Sequence, residues 1–219
     1  MRPIPGPQDP SDPTTVPAAA EAPYLVFLGR VRAWSGGCPL LTGSPRQQAV
    51  LAMLALRAGQ EVGTAELVDG FYGEGAYAAD TTGRLAEEMC READRLWSLL
   101  DRPFPADGRF SLLRRTDDGY LLDIAPDQVD AIAFERLVGA AHALRPGSAA
   151  DAVDLLERAF ALWRGTPLSG VPGPFALGER IRLQAVHRIA AELRQDCGLA
   201  PPLPRQPLPP LRREPSLAR

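Results

Sequence analysis

Residues 78–101, AADTTGRLAEEMCREADRLWSLLD, restrict what this chain can fold into more than any other stretch. Placed at 100° per residue, Leu85, Met89, Ala93, Leu96 and Leu100, with Ala86, Cys90 and Trp97 beside them, form one apolar arc. On the opposite side Arg91, Arg95 and Arg102 fall within about 20° of Arg84. A helix of this kind needs a core under one face and keeps its arginines outside it. Asp80 or Thr81 is its expected N-cap. Carboxylates flank the stripe: from Asp80 to Arg102 there are six against four arginines, a local charge of -2. Glu88 lies on one side, Glu87 and Asp94 on the other, and Glu92 farther round. Pairs of Arg84 with Glu88 and of Glu87 with Arg91 have helical i, i+4 spacing.

The elements around this helix predict a mixed fold. Before it, YLVFLGRVRAW and PLLT are apolar β-formers broken by Gly29 and by a turn at Ser35–Gly37, which suits antiparallel strands. SPRQQAVLAMLALRAG has Ser44 as N-cap, Pro45 in the first helical position and a stop at Gly59. TAELVDGFYG reads as a short helix capped by Thr64 and closed near Gly73. After the long helix, FSLLRR and GYLLDI flank TDDG, a hairpin signal because Asp118 and Gly119 tolerate a tight turn. Strands, three helices and a hairpin in that order suggest a winged helix, whose third helix enters the major groove while the hairpin meets the adjacent backbone.

Beyond Asp127 the pattern is helical. DAIAFERLVGAAHAL, SAADAVDLLERAFALWRG and ALGERIRLQAVHRIAAELRQDCG each show i, i+3, i+4 apolar spacing, the second with Val153, Leu156, Phe160 and Trp163 on one side. Paired helices with an alanine-rich seam suit a tetratricopeptide-like module, although no clean 34-residue repeat is present. The fold class expected is therefore mainly α with small β-sheets: a winged-helix (α+β) domain at 24–125, then an all-α tetratricopeptide-like domain at 126–198. Fourteen of the 23 prolines lie in 1–23 and 198–219, so both ends, 1–23 and 199–219, are expected to be disordered tails. In the second, Pro207, Pro210 and Arg212 have the spacing of a polyproline ligand, but a solvated tail is the favoured reading.

Composition excludes several classes. The net charge of -3 gives no overall field towards nucleic acid or anionic membrane, so any such binding needs a local patch. All 24 basic residues are arginine and asparagine is absent, a bias that fits a GC-rich genome and makes arginine itself weak evidence of function. Cys38, Cys90 and Cys197 are odd in number and widely spaced, which suits free thiols in a reducing cytosol. No apolar run reaches membrane-span length and the first residues do not read as a signal peptide, so a cytoplasmic location without membrane contact is expected. His142 and His187 stand alone, and no GxSxG, P-loop or GxGxxG occurs, so no catalytic, metal-binding or cofactor residue is expected.

Four segments carry a resemblance. LGRVRAW with PLLTGSPRQQAVLAMLALRAGQEV, then TAELVDGFYGE, GYLLDIAPDQVDAIAFERLV and DLLERAFALWRGTPLSG resemble, in order and spacing, the Streptomyces antibiotic regulatory protein family over about Tyr24–Gly198. The resemblance implies a winged helix joined to a bacterial transcriptional activation domain, binding promoter direct repeats and contacting RNA polymerase, commonly in control of antibiotic biosynthesis. It also implies RNA polymerase or a related regulator as protein partner, with a homodimer as a further option. Candidate DNA-binding residues are Arg84, Arg91 and Arg95 in the groove, and Arg114 and Arg115 on the backbone. Thr64, Thr81 and Thr82 at helix starts complete the set. The helical part is shorter than that family's activation domain and the third helix is acidic. The alternative is thus a family-derived protein-interaction module that has lost DNA binding and acts through its helical half.

Overall fold

The computed structural model describes residues 23–35, 37–100, 112–144 and 148–199. The two proline-rich ends, Arg102 and the start of FSLLRR lie outside the described residues. Strands β1 (Tyr24–Val26), β2 (Arg32–Ser35) and β3 (Cys38–Leu40) form an antiparallel sheet in the order β1-β2-β3. Helix α1 (Pro45–Ala55) begins at the Ser44 cap, whose hydroxyl accepts from the Gln47 amide while the Gln47 side chain accepts from the Ser44 amide. This reciprocal box satisfies two helix-end donors and stabilises the start of α1 by about 1 kcal/mol.

Helix α2 (Thr64–Tyr72) follows a strand that sequence periodicity does not reveal, β4 (Glu61–Gly63). The wing consists of β5 (Leu113–Arg115) and β6 (Gly119–Leu122), and β4 joins β6 to give a second antiparallel sheet in the order β4-β6-β5. Three residues with one buried side chain, Val62, are too few to show strand alternation; the wing supplies their hydrogen-bond partners. Gly119 lies opposite Gly63, and a Cβ on Gly119 would stand 2.1 Å from the Val62 carbonyl oxygen. Only a residue without a side chain fits that approach.

The amphipathic stretch departs from expectation at its start. Ala76–Ala79 forms a separate short helix, α3, and the long helix α4 begins at Arg84 and runs to Leu100. Gly83, with φ 69°, turns the chain between them. Asp80 still serves the helix start: its carboxylate accepts from the Leu85 amide at 2.6 Å and from the Thr82 hydroxyl at 2.7 Å. The predicted apolar arc is buried, with Met89, Ala93, Leu96 and Leu100 inaccessible to solvent, but Trp97 at its edge is 38% exposed.

Helices α5 (Asp130–Leu144), α6 (Ala149–Ala161) and α7 (Pro174–Leu199) complete the chain. His187 on α7 is a packing histidine, its ring 4.3 Å from that of Trp163 and 5.2 Å from that of Phe160. Helix α7 packs on α5 and α6 and also on α1 and α2, and one hydrophobic core runs from Leu25 to Cys197. No helix among the described residues is long and apolar enough to cross a membrane.

The winged-helix and helical parts are fastened at residues 27–29. The amides of Phe27 and Leu28 donate to the two oxygens of the buried Asp130 carboxyl, at 2.7 and 3.1 Å. The carbonyls of Phe27, Leu28 and Gly29 accept from the amides of Leu168, Arg164 and Ser169. Arg180 holds the returning loop, its guanidinium donating to the carbonyls of Pro167, Leu168 and Val171. Leu168 keeps a φ of 51° there, unusual for a residue with a side chain.

Desolvation raises the Asp130 carboxyl from 3.8 to about 7, against the lowering effect of the Phe27 and Leu28 amides. The folded chain therefore holds this proton after the unfolded chain has lost it, and the stability Asp130 contributes falls as pH rises through about 7. Asp130→Asn, which does not titrate, is expected to cost about 1–3 kcal/mol at low pH by leaving a buried amide donor unpaired. The gap to wild type should narrow between about pH 4 and 7 in urea titrations; a gap that widens would refute the assignment. Gly119→Ala is expected to cost about 1–3 kcal/mol in the same assay, because backbone rather than a flexible side chain must move.

Candidate nucleic-acid interface

Sequence periodicity places the seven charged side chains of α4 away from its apolar arc but leaves open which of them are available. The structure sorts them. Glu88 pairs with Arg46 near the start of α1, and the Arg46 guanidinium also lies over the Phe71 ring. Glu92 is buried and accepts from Gln47 Nε2 at 3.0 Å and from Arg95 at 2.7 Å. Asp94 accepts from the Tyr120 hydroxyl of the wing at 3.1 Å, with Arg115 at 4.0 Å. The expected pairs of Arg84 with Glu88 and of Glu87 with Arg91 are not formed, because Glu88 is drawn to α1 and Glu87 points into solvent. Among the described residues, Arg84, Glu87 and Arg91 make no ion pair or side-chain hydrogen bond, and Arg84, Glu87 and Arg91 are exposed.

The candidate residues thus divide into available and engaged groups. Arg84 and Arg91 stand free on the stripe, whereas Arg95 is tied to Glu92. On the wing, Arg114 pairs with Asp123 at 2.9 Å across the solvent-facing side, and Arg115 lies over the Tyr120 ring. These ion pairs are exposed, so opening them costs little. Thr64 is the first residue of α2 rather than its cap, which is Gly63. Its amide and hydroxyl both donate to the Asp118 carbonyl at the wing turn, so neither remains for a phosphate. Thr82 is engaged with Asp80, and the amides of Leu85 and Arg84 are taken by Asp80 and Thr82, while Thr81 is exposed. The Thr82 hydroxyl and the amides around it hold the Asp80 carboxyl below the usual carboxylate range.

The wing is docked onto α4 by one buried ring. Tyr120 is 1% exposed, and its hydroxyl reaches the Cys90 carbonyl at 3.3 Å as well as Asp94. Burial pushes this phenol well above its usual range, with Cys90 and Asp94 adding to the shift. Arg46, Gln47 and Tyr120 shape the surface although motif reading passes over them. A signal does exist for Tyr120: a tyrosine inside an apolar strand needs a hydroxyl partner when buried. For Arg46 and Gln47, on a helix remote in sequence from α4, none does.

Residues 129–201 match the bacterial transcriptional activator domain. Over 174 residues the chain is 36% identical to the Regulatory protein AfsR of Streptomyces coelicolor, spanning 78% of this chain and 16% of AfsR. It is 32% identical over 152 residues to the Transcriptional regulator RedD of the same organism, spanning 67% of this chain and 42% of RedD. These matches agree with the resemblance to the Streptomyces antibiotic regulatory protein family. The chain spans less than half the length of these curated relatives. Its fold is shared with a solved structure, that of Mycobacterium tuberculosis EmbR in complex with low affinity phosphopeptide. The two superpose with a TM-score of 0.63 at 25% identity, over 80% of this chain and 46% of EmbR. Within the antibiotic regulatory protein family pattern, the Leu-Trp-Arg-Gly segment of this chain, Leu162–Gly165, feeds the loop that binds residues 27–29 and so has a structural task.

Removing the Tyr120 hydroxyl should loosen the wing without emptying the core. Tyr120→Phe is expected to cost about 1 kcal/mol and to speed amide exchange at 119–122 relative to α1. Unchanged exchange there would show that the ring alone docks the wing.

Proposed function

We propose that this chain is a DNA-binding transcriptional regulator of the antibiotic-regulatory type, controlling a biosynthetic gene cluster and working in the cytoplasm. The observation that carries the reading is the sorting of charge on α4. Two of the three carboxylates that flank the arginine stripe are withdrawn, Glu88 by Arg46 and Asp94 by Tyr120 and Arg115, which leaves Arg84 and Arg91 outward. In this reading α4 enters the major groove with Arg84 and Arg91 foremost. Arg95, Arg114 and Arg115 serve the phosphate backbone, with Thr81 and Thr82 at the groove edge. Residues 24–125 act as the DNA-reading part and 126–198 as the part that meets RNA polymerase or a related regulator. That role is supported by Leu177 and Ile181, 54% and 60% exposed on the outer side of α7. The reading involves no chemical step.

The assay is fluorescence anisotropy with duplexes from the gene's own neighbourhood at several salt concentrations. Arg114→Ala is expected to weaken binding evenly across sequences and to reduce the salt slope by about 0.9, the share of one phosphate contact. Arg91→Ala should cost about 1–3 kcal/mol and act mainly on the preferred sequence. Flat titrations with every duplex at low salt would overturn the reading in favour of a protein-interaction module that acts through α5 to α7.

A further inference from the structure

Three charged side chains on α4 are left without partners among the described residues, and they lie on its first two turns: Arg84, Glu87 and Arg91. On the helical wheel they fall within an arc of about 60°, with Glu87 at its edge. Along the axis they rise about 4.5 Å and then about 6 Å, together about 10.5 Å, or roughly three base-pair steps. The face therefore offers a donor fork, then an acceptor, then a second donor fork. The N-terminal turns of a helix seated in the major groove are the part that reaches base edges.

A free carboxylate in that place has two plain readings. In one it repels phosphate and only weakens binding; in the other it accepts a hydrogen bond from a base. Glu88 and Asp94 show what the fold does with carboxylates that sit beside the stripe: each is given a cation or a hydroxyl that turns it away. Glu87 receives none, although Arg91 stands one helical turn on and Arg84 three residues back. A side chain that only needed neutralising has two guanidinium groups within reach and uses neither.

We propose that Glu87 is a specificity-determining residue that accepts from the exocyclic amine of a cytosine, between guanines read by Arg84 and Arg91. The chemistry is complementary. Among the four bases, guanine offers the N7 and O6 acceptors that a guanidinium fork grips, and cytosine offers N4 as a donor to a carboxylate. The site preferred by this chain would then hold a run of G·C pairs with a cytosine facing the middle of the α4 face. The proposal rests on the DNA-binding reading, since it assigns a base to a residue that the reading only places in the groove.

The experiment is selection of the full chain on a randomised duplex library, followed by sequencing, for wild type, Glu87→Ala and Glu87→Gln. Wild type should enrich a cytosine at one position by about tenfold over the other bases, a single hydrogen-bond discrimination. Glu87→Ala should lose preference there alone, with the flanking guanines retained. Glu87→Gln should move the preference to adenine, which a glutamine amide reads through N6 and N7. That change of base is beyond a merely electrostatic or helix-stabilising role. If either variant binds all sequences more tightly with the wild-type preference intact, Glu87 is a repelling charge and the proposal is overturned while DNA binding stands. If no duplex is retained by any of the three, the DNA-binding reading falls with it. Circular dichroism of each variant checks that α4 remains folded.

Discussion

The buried carboxyl of Asp130 holds the architecture together. It faces the end of β1, accepts the amides of Phe27 and Leu28, and stands at the first turn of α5. Those two amides point into the core, where an unpaired donor would cost free energy comparable to a lost hydrogen bond. Arg164, Leu168 and Ser169 complete the arrangement by donating to the three carbonyls of the same stretch. The segment thus has its polar groups satisfied by the helical part instead of by a neighbouring strand. The helical part is consequently built into the core of the winged helix, and α7 can lie against both.

That rigidity bears on the interface. Helix α4 is fixed on its inner side by apolar burial and on its flanks by polar contacts from elements that the shared core holds in place. Gln47 on α1 binds Glu92, Arg46 binds Glu88, and Tyr120 on β6 binds Asp94. A helix that reads as acidic when its residues are counted presents an outer face with two unpaired arginines and a single unpaired glutamate. Net charge of an element is a poor guide to what it offers a ligand, because engaged carboxylates no longer compete for the free guanidinium groups.

Much of the fold was legible because it rests on local periodicity. The apolar arc of α4, the Ser44 start of α1, the TDDG turn and the three C-terminal helices follow from spacing and turn chemistry within a few residues. What escaped was decided at longer range. β4 is three residues long and exists because the wing lies beside it. The start of α4 moved from Asp80 to Arg84 because Gly83 adopts a positive φ and Asp80 reaches forward to cap from outside the helix. Thr64 lost its capping role to Gly63 and was taken up by the wing turn instead.

The sequence by itself determined that α4 buries one face and turns its arginines outward, since a period of 3.6 residues needs no information from elsewhere in the chain. It also determined the order of the longer helices and the hairpin that follows α4. Only the tertiary structure decided which charges on that outward face are available. Glu92 meets a partner 45 residues away and Asp94 one 26 residues away, and Asp130 binds amides more than 100 residues distant. Hydrogen bonds act over about 3 Å in space, so pairing across such separations is set by how the elements pack.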